Sequence, residues 1–211
     1  IDEILYLNYD RAMKSILKKE GIFWTEGLKN MREVGTICST GRFVAKAMAP
    51  KIHISDEPKA IVELGVGTGG ITKEILKHLR AQDCYIGIEA NNKFLDICKD
   101  GLCIDDHNIS VNFEHDFAQN IQEILKKYGI SQVDEIICTI PFRILPKKDT
   151  EEILRNVKKV LKSGGQFTFI RYIHAPENRD ISLILSYFTV ISKKIVIRNI
   201  PPAEVIKMRK G

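Results

Sequence analysis

No run of eighteen apolar residues occurs anywhere in the 211-residue chain, so the sequence predicts no segment that spans a membrane, and no secretory signal is visible. The five cysteines, Cys38, Cys84, Cys98, Cys103 and Cys138, include no C-x-x-C pair and no histidine at ligand spacing. That excludes a zinc ribbon or a disulfide framework. It leaves reduced thiols, mostly in the core, and no metal site. Internal repeats and low-complexity stretches are also missing. The charge is not extreme: a formal +5 is too small to announce nucleic acid, although it favours an anionic surface. What remains is a chain of ordinary apolar and charged content, with room for one α/β domain with a full core, or one domain plus an extension.

The informative stretch is Ala60 to Leu76, AIVELGVGTGGITKEIL. An apolar run through Ile61 and Val62 crosses an acid at Glu63 and breaks into Gly65, Gly67, Gly69 and Gly70. Helix-like spacing follows at Ile71, Ile75 and Leu79. This predicts a buried strand, a tight glycine turn and a helix whose N-terminus faces a ligand. Gly65, Gly67 and Gly70 fit the G-x-G-x-x-G of a dinucleotide fold, which sets a pyrophosphate on the helix end. Gly65, Gly67 and Gly69 instead give G-x-G-x-G behind an acid, which suits a ligand with a cationic end. A second predicted strand, Cys84 to Glu89, ends in a carboxylate twenty residues after Gly69. Such an acid can accept ribose hydroxyls from either kind of ligand.

Residues 1 to 20 and 22 to 34 read as helices. Leu5, Tyr9, Ala12, Met13, Ile16 and Leu17 form an apolar stripe flanked by bases, which either caps the core or lies in a membrane interface. Ser39 or Thr40 caps a short helix stopped by Pro50. A helix over 91 to 100 precedes a third strand, Ile109 to Glu114. Asp116 either caps a helix over 119 to 128 or faces a ligand. A fourth strand spans Val133 to Thr139. Then come a helix from Thr150 to Leu161 capped by Asp149 or Thr150, a stop at Ser163 to Gly165, and a strand from Gln166 to Tyr172. A helix over 177 to 187, a long strand over 188 to 199 and a last strand over 204 to 208 complete the chain. The alternation predicts a mostly parallel sheet with a reversed edge strand and a closing hairpin.

Glu63-Leu-Gly-Val-Gly-Thr-Gly69 resembles motif I of the class I S-adenosylmethionine methyltransferases. That resemblance implies an α/β Rossmann-like fold, a seven-stranded, mostly parallel sheet with a C-terminal antiparallel hairpin. It also implies S-adenosylmethionine as cofactor. It places that cofactor on Thr40, Glu63, Gly65, Gly67, Gly69, Glu89, Ala90, Asp116, Phe117 and Thr139, with Asp116 at the adenine amino group. The loop Thr139-Ile140-Pro141-Phe142 stands where amino-directed methyltransferases of DNA and RNA carry Asn/Asp/Ser-Pro-Pro-Tyr/Phe, and departs from that pattern at its first two positions. From about residue 20 onward the chain is more similar to the bacterial phospholipid N-methyltransferases. The similarity lies in the Gly35–Arg42 loop, in Ile140-Pro141-Phe142-Arg143-Ile-Leu-Pro146, in the Gly165-to-Tyr172 strand and in Arg198-Asn199-Ile-Pro-Pro-Ala203.

This second likeness implies transfer of methyl to a lipid amine by Thr139, Ile140, Pro141 and Tyr172. The enzyme would be a peripheral, cytoplasmic protein docked on an anionic membrane surface. Residues 1–50 would form a helical extension and residues 51–211 the methyltransferase domain. Trp24, Phe142 and Tyr172 are candidates to hold a methylated cation. Arg143, Lys147, Lys148, Lys193, Lys194 and Arg198 could meet lipid or RNA phosphate. His115 and His174 are read as structural. RNA adenine methylation, a small amine as acceptor, and a non-catalytic cofactor-binding module stay as alternatives.

Overall fold

The computed structural model describes residues 41–50, 57–102, 109–142, 145–173, 179–199 and 202–210. Seven strands form one sheet in the order β3-β2-β1-β4-β5-β7-β6. They are β1 Ala60–Leu64, β2 Cys84–Glu89, β3 Ser110–His115, β4 Val133–Cys138, β5 Leu161–Tyr172, β6 Thr189–Val196 and β7 Ala203–Arg209. The first five pair in parallel, whereas β7 runs antiparallel to both β5 and β6. The reversed strand is therefore interior, not at the edge as the sequence pattern suggested. The connection from β5 to β6 leaves one strand position open between them, and the chain doubles back through Pro202 to fill it as β7.

Strand alternation sends two sets of side chains to two cores. Val62, Leu64, Ile86, Ile88, Ile136, Cys138, Phe167 and Phe169 face helices α4 (Ile121–Lys127), α5 (Lys147–Val160) and α6 (Arg179–Tyr187). Ile61, Tyr85, Ile137 and Val205 face the opposite layer, with α1 (Arg42–Met48) and α2 (Thr72–Leu76). On that side Val44, Ala45, Ala47 and Met48 are buried, so α1 contributes to the core. A smaller cluster joins Val66 to Leu95 and Cys98 of α3 (Asn92–Gly101). Burial on both faces explains why β1, β2 and β4 read as near-continuous apolar runs.

Several boundaries differ from the pattern-based reading, each for a local reason. The N-cap of α1 is Gly41, with no side-chain cap bond, and its N–H is taken by Asn199 Oδ1 at 3.0 Å. Helix α2 ends at Leu76, although Leu79 beyond it is still buried. Asn91 caps α3 by accepting from the N–H groups of Lys93 and Phe94. A 3₁₀ turn, Ala118–Asn120, leads into α4. Helix α5 starts at Lys147 after Pro146, three residues early, and the Thr150 hydroxyl donates back to the Pro146 carbonyl. The stripe Ile153, Leu154, Val157 and Val160 keeps it on the core. Strand β5 begins at Leu161, not Gln166, because Leu161 pairs with Val133 before an irregularity shifts the register to Glu135–Gln166.

Asp134, beside that irregularity, ties three strands at their lower ends. Its carboxylate accepts the Ala60 N–H at 2.9 Å and meets Lys59 and Lys162. These partners, against a desolvation cost, hold the carboxyl below its usual range. Replacing Asp134 by Ala leaves the Ala60 N–H without its acceptor, and urea unfolding should show a loss of about 1–3 kcal/mol. Asp134→Asn retains an oxygen for that N–H and should lose less; equal losses would show that the lysine contacts dominate.

Candidate active site

Strand order reverses between β1 and β4, since the chain builds β1, β2 and β3 in one direction and then returns to the other side of β1. In open α/β sheets the crevice beyond the carboxyl ends of the strands at such a reversal is where ligands bind. Here those ends carry the glycine loop after Leu64 and the segment that begins at Thr139.

Gly65, Gly67 and Gly69 all adopt positive φ, 84°, 57° and 83°, so the G-x-G-x-G reading matches the backbone. Two of them also sit against other elements. A Cβ on Gly65 would lie 2.7 Å from Thr139 Oγ1, and one on Gly69 would lie 2.6 Å from Cys98 Sγ. At Gly67 a Cβ would meet nothing within 4 Å, so bare backbone faces open space. The Gly65 N–H donates to the Ile88 carbonyl, which pins the loop to β2.

Two carboxylates lie behind this loop. Glu63 is fully buried; its Oε2 accepts from Thr72 Oγ1 at 2.8 Å and from the Tyr85 hydroxyl at 2.5 Å. Its Oε1 is buried and has no hydrogen-bond partner. Burial, partly offset by these two donors, pushes the Glu63 carboxyl up to about 7. The Tyr85 phenol is pushed well above its usual range by burial and by the neighbouring carboxylate. Glu89 accepts the Gly67 N–H on Oε2 at 2.8 Å and the Asn91 N–H on Oε1 at 2.9 Å. Its pKa is raised because burial outweighs those backbone donors. Each Glu89 oxygen keeps a lone pair for a further donor.

The remaining positions are placed as follows. Ala90 presents its carbonyl to His115 Nε2 at 3.1 Å. The Asp116 N–H donates to the Glu89 carbonyl, while Oδ1 accepts from the Phe117 N–H and from Asn120 Nδ2, both at 2.7 Å. Asp116 thus braces the 3₁₀ turn, and the Phe117 ring beside it is 40% exposed. The Thr139 N–H donates to the Leu64 carbonyl and its hydroxyl donates to the Gly65 carbonyl. With its proton so used, the Thr139 oxygen is left as an acceptor. The Ile140 carbonyl accepts the Phe142 N–H at 2.9 Å, and Pro141 is exposed.

The structure does not bring all the sequence-named residues together. Phe142 is buried and packs towards Phe169, with ring centroids 6.5 Å apart, on the α5 face of the sheet. Tyr172 packs against the other core, two positions beyond the level of Ile170, the residue that follows Phe169 opposite Cys138. Thr40, Trp24, Arg143 and His174 lie outside the described residues, as do Cys38 and Cys103. The other three cysteines are free; burial raises the Cys98 thiol to about 11 and Cys138 to about 12. Lys147 pairs with Glu151 at 3.6 Å on the surface. Sequence reasoning missed Thr72 and Tyr85, which hold Glu63. The available signal was a tyrosine inside a buried strand, whose hydroxyl needs a partner. Among the described residues no cluster of His, Cys, Asp and Glu is placed to hold a metal ion, and no helix is long and apolar enough to cross a membrane.

Residues 61–165 match the family described as a methyltransferase domain. The chain is 26% identical to an ornithine lipid N-methyltransferase of Singulisphaera acidiphila, over 70% of this chain and 74% of that protein. It is 29% identical to ribosomal RNA small subunit methyltransferase H of Dictyoglomus thermophilum, over 54% of this chain but only 33% of that protein. The fold is similar to that of Aeropyrum pernix fibrillarin, solved with natively bound S-adenosylmethionine, at TM-score 0.58 and 13% identity, covering 79% of this chain and 74% of that one. A glycine loop of matching geometry at the strand-order reversal, two carboxylates behind it and a methyltransferase domain match agree, and the chain belongs to the class I S-adenosylmethionine-dependent methyltransferases.

Proposed function

We propose that the protein transfers methyl groups to the amine of a lipid, such as phosphatidylethanolamine or an aminolipid, at the surface of an anionic membrane. The observation that carries this reading is the seating of Phe142. An acceptor base would need an aromatic face after the catalytic loop, whereas this ring is 3% exposed and packed towards Phe169. An aliphatic amine needs no such face. The likeness to an ornithine lipid N-methyltransferase over 74% of its length supports the same class of acceptor.

S-adenosylmethionine supplies an electrophilic methyl group on a sulfonium. The residues present fit it: the Oε1 of Glu63 lacks a partner, and the backbone at Gly67 is open. Glu63 would face the cationic amino-acid end. Glu89 would use its remaining lone pairs for ribose hydroxyls, and Asp116, Ala90 and Phe117 would frame the adenine. Gly65 and Gly69 shape the loop through their positive φ. The acceptor amine attacks with its lone pair, so it must arrive neutral or lose its proton to solvent. The Thr139 oxygen accepts an N–H of that amine and aligns it, and alignment is the main work required of the protein. Ile140 and Pro141 wall the acceptor side. Of the aromatic residues named from the sequence, Tyr172 at the end of β5 remains the candidate for a methylated cation among the described residues, because Phe142 is committed to the core. The enzyme would act as a peripheral cytoplasmic protein, with residues 1–50 as its extension and residues 51–211 as its catalytic domain.

RNA adenine methylation is the second reading; the match to a ribosomal RNA methyltransferase over a third of that protein favours RNA as acceptor and does not name the base. Labelled methyl transfer to a panel of phosphatidylethanolamine, an ornithine lipid, a small free amine and RNA decides between them. Transfer to a lipid amine is the expected result. Transfer to RNA alone, or cofactor binding without turnover on any acceptor, overturns the lipid reading.

Glu63 provides a separate check with a worked sign. Its carboxyl titrates at about 7 in the folded protein against 4.5 in its ordinary state, so between those values the unfolded chain releases its proton first. Stability from this group therefore falls as pH rises from about 4.5 to 7, by on the order of 3 kcal/mol. Glu63→Gln should flatten that slope in denaturant unfolding and gain stability at pH 8. The same variant should bind S-adenosylmethionine about ten-fold more weakly by calorimetry, since it lacks the charge that meets the cationic end. Unchanged affinity would remove Glu63 from the cofactor site.

A further inference from the structure

Among the described residues strand β6 is the outer edge of the sheet, with Lys193 and Ile195 on one face and Lys194 on the other. Ile191 is 47% exposed, Ile195 59% and Ile197, just past the strand, 76%. Between and beyond them stand Lys193, Lys194 and Arg198, all exposed. The lysines and the irregularity between Val190 and Ser192 protect this edge against strand pairing, but they do not account for three exposed isoleucines beside them.

The position of this strip matters. Because β7 is antiparallel to both β5 and β6, β6 runs parallel to β4 and β5 and ends on the same edge of the sheet as Thr139 and the glycine loop. Ile173, after β5, is 38% exposed there; its N–H is held by the Pro202 carbonyl at 3.0 Å. Two strand spacings, about 10 Å, separate the ends of β5 and β6. The start of α1 joins this rim. Arg42 and Arg198 set their guanidinium groups 4.9 and 5.5 Å from the Phe43 ring, and Gly41 is anchored to Asn199. The nearby carboxylate of Glu204 is answered by Arg171 Nε at 2.5 Å, so it does not cancel the bases.

We infer that the edge formed by Ile191, Lys193, Lys194, Ile195, Ile197 and Arg198 docks on an anionic lipid surface and sets the catalytic end of the sheet against the headgroups. This rests on the lipid-amine reading above, which requires the amine of a membrane-embedded molecule to reach Thr139. Basic side chains meet lipid phosphates while the isoleucines enter the boundary with the acyl chains, a pairing of terms that neither alone supplies. A second copy of this chain fits the edge less well. The irregularity between Val190 and Ser192 breaks the regular pairing row, and antiparallel association centred on Lys193 and Lys194 would set like charges opposite each other.

Flotation with vesicles of phosphatidylcholine, with and without phosphatidylglycerol, tests the surface on the full chain. The wild type should partition onto the anionic vesicles, and hydrogen exchange over residues 189–199 should slow when they are present. Lys193→Gln with Lys194→Gln should weaken partition about five-fold per lysine, and Ile195→Glu with Ile197→Glu by roughly ten-fold or more, with unfolding and S-adenosylmethionine affinity unchanged. Partition unaffected by both variants overturns the inference, and so does a wild-type dimer that Ile195→Glu with Ile197→Glu converts to monomer without any vesicle binding. Turnover on detergent-dispersed phosphatidylethanolamine separates the two claims. Turnover there without vesicle binding overturns the surface alone. Rim-dependent binding with no turnover on any lipid amine overturns the enzymatic reading and leaves the surface standing.

Discussion

A fully buried carboxylate with one oxygen unsatisfied is costly, and the arrangement around Glu63 exists to make that cost tolerable without removing it. Thr72 and Tyr85 both donate to Oε2, and none of the described groups donates to Oε1. Glu89 lies near enough to raise the Glu63 pKa further by repulsion. Two acids whose pKa values burial raises thus stand behind a loop of bare backbone, where a cationic neighbour would favour their charged forms. A pyrophosphate would be repelled there, whereas a ligand with a cationic end completes the set. Glycine spacing alone admits both a dinucleotide and a sulfonium nucleoside. The raised pKa values of both acids favour the ligand with a cationic end.

That local chemistry depends on the order of strands. Glu63 and the glycine loop come from β1, Glu89 from β2, and Thr139 from β4, and the sheet sets those three ends side by side. Hydrogen bonds then lock them: Gly67 N–H to Glu89, Asp116 N–H to the Glu89 carbonyl, Thr139 N–H to Leu64 and Thr139 hydroxyl to Gly65. The loop and the side chains around it are therefore held by bonds to main-chain atoms at the ends of four strands. Gly87 contributes from beneath. A Cβ there would lie 2.7 Å from Val66, 2.8 Å from the Tyr85 hydroxyl and 2.9 Å from Phe113, so the absence of a side chain leaves room for the tyrosine that holds Glu63.

The parts of this architecture that could be read from sequence are those set by short-range pattern. Strand β2 is legible to the residue, since apolar run and terminal acid coincide with Cys84–Glu89. The positive φ values of Gly65, Gly67 and Gly69 follow from their spacing. What resisted reading depends on contacts distant in sequence. Leu161 joins β5 because Val133, 28 positions earlier, offers it a pairing partner. The interior place of β7 follows from which gap the sheet leaves, and no local periodicity encodes that. The function of Tyr85 depends on Glu63, 22 positions away, and Phe142 reads like a stacking aromatic until its contact with Phe169 is known.

The two faces of the sheet also divide the acceptor problem. Phe142 and Phe169 seal the α5 side, so the ring three residues after Thr139 is spent on packing. Tyr172 belongs to the opposite side, with α1, whose first turn carries Arg42 and Phe43. An acceptor that reached Thr139 along the first route would have to displace core residues. The opposite side carries Tyr172 and, at the start of α1 and beyond the end of β6, Arg42 and Arg198 around the Phe43 ring. The anchoring of Gly41 by Asn199 joins the start of α1 to the segment that follows β6, so the two arginines beside Phe43 are carried by elements tied to each other.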